Sequence, residues 1–185
     1  TMLFDIDRPE YARSDSIGLK LEELKEKPEE TIQGLCQWLG IDVSPSLFHM
    51  TVQGKKWWGD PTSADFDRDK AMQPFDNASV IRPVGAIFSE RDQLILSTLF
   101  YPFMVRFAYV EENSEGFQKN LKAIRPMLDC LFDFETDLIK RNCYSPETFQ
   151  LRQDYVTLRT RLIHRWNLLN RMGTYHDMLE PLAKK

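Results

Sequence analysis

The chain has 185 residues, 42% hydrophobic and 28% charged, with a formal net charge of −4. That composition is in the range of globular proteins built as one domain, or one domain with an appendage. It argues against broad binding to nucleic acid or to an acidic membrane surface, which would want a basic face, but leaves room for one local basic pocket. Cys36, Cys130 and Cys143 have no metal-type spacing and read as reduced thiols. The opening Thr1-Met2-Leu3-Phe4-Asp5 has no basic segment followed by an apolar run, so no signal peptide is expected and the location is read as cytoplasmic. The most apolar stretch, Leu94 to Val105, is too short for the roughly 20 apolar residues of a spanning helix. It reads as a buried helix.

Residues 1–16 form a mixed, polar entry segment. Ile17-Gly18-Leu19-Lys20-Leu21 nearly alternates apolar and polar residues, which predicts a short strand. Glu22 to Glu26 is a charged connection. A helix follows over 28–39. Pro28 suits its first position, and Glu29 and Glu30 complement the dipole in its first turn. Ile32, Leu35 and Leu39 share a face beside Cys36, and Gly40 supplies a left-handed end. Ser44-Pro45 opens a shorter helix to about Met50.

Next comes Thr51-Val52-Gln53-Gly54-Lys55-Lys56-Trp57-Trp58-Gly59-Asp60-Pro61. Two lysines flanked by glycines form a natural anion cradle, because glycine lets backbone N–H groups approach a phosphate or sulfonate. The plain alternative is a solvated turn. Trp57 and Trp58 either stack on a base or anchor the loop in a core. Residues 62–85 have little periodicity and form a long irregular segment of the kind that often builds a site.

Ser89 caps a helix with acids in its first turn, and its apolar residues run from Leu94 to Phe107. Pro102 should kink it or end it early. Residues 117–141 are helical by period, with Pro126 as an internal kink. Ser145-Pro146-Glu147 caps one last long helix ending at Gly173. The chain therefore reads as mostly α-helical, with one or two N-terminal strands. A lone strand needs partners, so either that strand reading fails or the rest of its sheet lies outside this chain.

Several stretches in order resemble the sulfotransferase family. Leu19 to Thr31 is similar to its strand-then-helix stretch, loosely R-Y-E-D-L…P-E-E-T. Leu35-Cys36-Gln37-Trp38-Leu39-Gly40-Ile41 looks like L-C-x-F-L-G-I. Pro45-Ser46-Leu47, then Thr51, Gly54, Trp57, Trp58, Gly59 and Asp60, resemble a bacterial sulfotransferase-like loop, T-x-x-G-x-x-W-x-G followed by Asn or Asp. Arg91-Asp92 through Tyr109 looks like the closing helix. The likeness covers about residues 17–109.

The resemblance implies an α/β, P-loop-like fold with a parallel sheet, only partly contained here. It implies sulfuryl transfer from 3′-phosphoadenosine-5′-phosphosulfate (PAPS) to a hydroxyl or amine, with no metal. The 5′-phosphosulfate loop and the base belong to the other half of such a domain, and no Gly-Lys-Ser/Thr triplet occurs in these residues. Residues 1–114 thus look like a C-terminal half and 115–185 like a helical extension of two long helices, which could support a homo-oligomer. Gly54, Lys55, Lys56, Trp57, Trp58 and Gly59 would hold the 3′-phosphoadenosine side of PAPS or of its product PAP. The cytosolic form of the motif, Arg-Lys-Gly-x-x-Gly-Asp-Trp, is matched only at Lys55, Gly59 and Asp60. No catalytic residue is assigned. The rival reading is a non-catalytic helical module for assembly or partner binding.

The remaining polar residues read as structural. His49, His164 and His176 are lone histidines, and Glu22 and Glu23 are surface charges. Arg152, Arg159, Arg161 and Arg165 form a solvated basic face of the last helix. No His, Cys, Asp or Glu spacing suits a metal.

Overall fold

The structure, a computed structural model, describes residues 16–49, 51–52, 55–56, 62, 87–142, 145–172 and 179–182. The chain folds as two compact units. One comprises Ile17–Arg82 with Pro181–Lys185, the other Pro83–Glu180 with Thr1–Ser16. The boundary expected at 114/115 rests on the resemblance.

In the first unit, the expected strand over 17–21 is absent. Among the described residues Gly18 makes an isolated parallel bridge to Pro181, with Leu182 N–H donating to Gly18 O at 2.9 Å. Leu21 already starts helix α1, Leu21–Glu26, so the charged "connection" is helical. A glycine inside a strand of this length forfeits side-chain packing, and acids at Glu22 and Glu23 favour a helix start instead. No residue of α1 is buried. It is held by Thr31 Oγ1 donating to Glu23 O at 3.0 Å and by Lys27 N–H donating to the same carbonyl at 2.8 Å.

Helix α2 spans Pro28–Leu39, as its caps predict, and buries Thr31, Ile32 and Cys36. Gly40 has φ 68° and ψ 32°, the left-handed conformation that glycine adopts without steric cost. From there Gly40 N–H donates to Gln37 O at 3.1 Å and Ile41 N–H to Cys36 O at 3.0 Å, closing the helix end. Ser44 then caps a 3₁₀ turn, Pro45–Phe48, tighter and shorter than the helix expected to Met50. Strands β1, Thr51–Val52, and β2, Lys55–Lys56, pair antiparallel.

The second unit is mostly helical in its described part. Helix α3, Glu90–Leu99, is followed by α4, Tyr101–Arg106, with Pro102 in the first turn of α4. Pro102 therefore ends one helix and starts another. Helix α5, Ser114–Ile124, leads into a 3₁₀ turn at Arg125–Asp129, and α6 spans Asp133–Asn142. The single kinked helix expected over 117–141 is thus three pieces, because Pro126 has no N–H for α-helical continuation. The last helix is also divided, into α7, Pro146–Gln150, and α8, Gln153–Met172. Asp154 opens α8 with an acid in its first turn and is gripped by Arg152 through two hydrogen bonds of 3.1 Å.

The core of this unit joins Ile95 and Leu99 of α3, Leu121 and Ile124 of α5, Leu128 and Phe132 of the following turn, and Leu162 and Leu169 of α8. Each such side chain stabilises the fold by about 1.5–3 kcal/mol through burial. Trp166 lies against this core and donates its indole N–H to Leu121 O at 2.7 Å. Among the described residues the architecture is mostly α-helical, and the α/β sheet implied by the resemblance is not present in them.

Candidate functional site

The lysine loop is the first candidate. Lys55 and Lys56 form β2, with Thr51 opposite Lys56 and Val52 opposite Lys55. A short hairpin therefore sets the backbone of both lysines. Gly54, Trp57, Trp58 and Gly59 lie outside the described residues. His49 is exposed at the end of the 3₁₀ turn, where its N–H donates to Ser46 O at 3.2 Å.

The second candidate arises where no site was expected, in the second unit. Arg159 and Arg165 are not on a solvated face: they are 8% and 3% exposed. Leu158, Leu162, Trp166 and Leu169 define the inward stripe of α8, and positions 159 and 165 fall within it by helical phase. Arg165 donates its Nε–H to Leu99 O, and its guanidinium lies 4.7 Å from the Phe100 ring centroid. Burial pushes it down to about 10, so it keeps its charge at neutral pH.

Arg159 is part of a polar knot around the turn that leads into α6. Its Nη1 donates to Leu128 O at 3.1 Å and its Nη2 to Glu135 Oε2 at 2.6 Å. The guanidinium lies 4.8 Å from the Phe132 ring centroid and 5.1 Å from that of Tyr155. Arg91 reaches the same turn, with Nη1 donating to Leu131 O at 3.0 Å and to Asp133 Oδ1 at 3.1 Å. Irregular backbone here leaves carbonyls unpaired, and the two arginines supply donors.

The amide groups of the turn face two buried carboxylates. Asp92 of α3, fully buried, accepts from Asp133 N–H at 3.0 Å and Phe134 N–H at 3.1 Å. Glu135 accepts the Phe132 N–H at 2.8 Å, the reach-back of a capping box. These acids satisfy the orphan donors at the start of α6 and meet the positive end of its dipole. Burial holds the Glu135 carboxyl above its ordinary range, against the opposing pull of the Phe132 N–H and Arg159. Asp133 is held below its ordinary range by the Ser89 hydroxyl and by Arg91.

Each unit has a cleft. In the first unit, a cleft of about 380 Å³ is lined by Glu23, Lys27, Gln33, Gln37 and Trp38, and by Leu182, which packs beside Gly34. In the second, a cleft of about 300 Å³ lies between α6 and the α7–α8 turn, with Glu135 in its wall. The sequence signal for Glu135 was its position three residues after Phe132, where a helix-start acid belongs, and three before Leu138 on the same face.

No protein-family model, curated protein or solved structure matches this chain. Among the described residues, no helix is long and apolar enough to cross a membrane, and no group of three or more His, Cys, Asp or Glu is placed to hold a metal ion.

Proposed function

We propose that this chain is a sulfotransferase-like segment that contributes the 3′-phosphoadenosine side of a PAPS pocket, for sulfuryl transfer to a hydroxyl or amine. The observation that carries this reading is the order of the motifs around one loop: Pro28-Glu29-Glu30-Thr31, then Leu35-Cys36 and Leu39-Gly40-Ile41, then Thr51 to Asp60. The capped α2, the Ser44-Pro45 turn and the hairpin carrying Lys55 and Lys56 are compatible with it. Within the proposal, Lys55 and Lys56 balance the charge of the 3′-phosphate, with the glycines at 54 and 59 allowing backbone N–H contacts. Trp57 or Trp58 stacks on the adenine.

In this reading 1–114 is the C-terminal half of the domain and 115–185 its helical extension. The 5′-phosphosulfate loop and the base come from a longer chain or a partner, so these 185 residues bind the nucleotide without transferring sulfate. A cytoplasmic location and a homo-oligomer through the C-terminal helices belong to the same proposal. Transfer of this kind needs no metal, because cationic side chains and backbone donors stabilise the charge that develops.

Calorimetric titration with 3′-phosphoadenosine-5′-phosphate tests it, with Lys55→Ala/Lys56→Ala beside the parent. Saturable binding lost in the double variant is expected. Binding that the double variant retains in full would remove the lysines from the site. The non-catalytic reading, a helical module for assembly, is favoured by one observation: the described second unit builds a core and polar centre of its own. It predicts no nucleotide binding at all.

A further inference from the structure

We propose that the cleft between α6 and the α7–α8 turn binds a small molecule carrying a protonated amine on an apolar, aromatic-sized body. This inference does not rest on the sulfotransferase reading.

The cleft has apolar walls from Phe134, Leu138, Phe149, Tyr155 and Leu158. Phe149 and Tyr155 meet edge to face at 5.7 Å and 62°, which fixes one corner. At about 300 Å³ the space is at the lower end of small-molecule sites. Set into this apolar surround is the carboxylate of Glu135, only 2% exposed.

The two oxygens of Glu135 differ. Oε2 is occupied, accepting from Phe132 N–H at 2.8 Å and from Arg159 Nη2 at 2.6 Å. Oε1 accepts no hydrogen bond from the described residues, and Glu135 is one of the residues that line the cleft. A carboxylate oxygen of this kind can only accept, and a charged N–H donor in a partly dry site is its strongest complement.

The surrounding charges favour the same ligand. Arg159 meets Glu135 through Oε2, with its guanidinium against the Phe132 and Tyr155 rings. Arg152 is bound to Asp154 through both carboxylate oxygens. An anion would face Glu135 and Asp154 across apolar walls. A neutral molecule would bury Oε1 without a charged donor. An ammonium group is stabilised by Oε1 and by the faces of the neighbouring rings.

Titration of the whole chain with phenethylamine tests this, followed by heteronuclear NMR. 2-Phenylethanol and 3-phenylpropionate serve as neutral and anionic controls on a similar body. The amine should shift amide signals over 134–158 and bind about tenfold or more tightly than either control. Glu135→Gln keeps an acceptor for the Phe132 N–H and should lose that preference. Leu138→Trp, at a side chain 42% exposed and away from the polar knot, should fill the cleft and abolish binding without loss of thermal stability. Equal binding of the three probes, or amine binding that survives Leu138→Trp, would overturn the assignment.

Discussion

Replacing Asp92 by alanine should be among the most damaging single changes in the second unit. The side chain is fully buried and accepts two backbone N–H groups at 3.0 and 3.1 Å at the start of α6. A hydrogen bond to a charged acceptor contributes about 1.5–3 kcal/mol, and alanine leaves both donors without a partner. It also removes the anion that meets the α6 dipole, an effect of about 0.3–1 kcal/mol. Allowing for partial hydration of the freed amides, the loss is about 3–5 kcal/mol. For a unit of this size each kcal/mol lowers Tm by about 4–8 °C, so the melt should fall by about 15 °C or more. Guanidinium titration followed by circular dichroism measures it, and the midpoint should move while the slope stays constant. Asp92→Asn keeps one acceptor and should lose roughly half as much. A loss below about 1 kcal/mol for Asp92→Ala would refute the view that this carboxylate organises the turn.

Other changes probe the same physics. Glu135 and Arg159 should respond asymmetrically. Burial outweighs pairing at Glu135, so Glu135→Gln should cost under about 1 kcal/mol at neutral pH, whereas Arg159→Met leaves a buried carboxylate unpaired and should cost about 3 kcal/mol in denaturant titration. The pH dependence has a defined sign. Glu135 titrates above its ordinary 4.5 in the fold, so its stabilisation is complete below 4.5 and is lost as pH rises through the folded value. Denaturation at pH 4 and pH 7 should therefore show the parent losing stability relative to Glu135→Gln as pH rises. Asp133 runs the other way: its stabilisation is present above its ordinary 3.8 and is lost as pH falls through its lower folded value. At the two left-handed positions among the described residues, Gly40→Ala should cost about 1 kcal/mol at φ 68°, and Ala108→Gly at φ 53° should gain a fraction of that, both read from thermal melts.

What was legible in the sequence was the punctuation. Pro28 and Gly40 bound α2 because each has a backbone requirement that needs no tertiary partner. Pro102 divides α3 from α4 for the same reason. Alternation at 17–21 predicts a strand, but among the described residues its one bridge joins Gly18 to Pro181, and a bridge to a distant segment leaves no local pattern. Pro126 predicts a kink, but three carbonyls in and just after the turn find donors on Arg91 and Arg159, which makes a full break affordable. Those partners are 31 to 40 residues away in sequence, so no local window could anticipate them. For Arg159 and Arg165 charge predicts a solvated face, but helical phase prevails and both are buried. Their spacing among Leu158, Leu162 and Leu169 already placed them inward. At the lysine loop the backbone pairing of Lys55 and Lys56 gives the hairpin, and motif order carries the nucleotide reading.

The most direct test of the central claim is calorimetry with 3′-phosphoadenosine-5′-phosphate against adenosine 5′-monophosphate, on the parent chain and on Lys55→Ala/Lys56→Ala. The account predicts tighter binding of the 3′-phosphorylated nucleotide by the parent, and loss of that difference in the double variant. Equal affinity for the two nucleotides in the parent, or no binding of either, would contradict it.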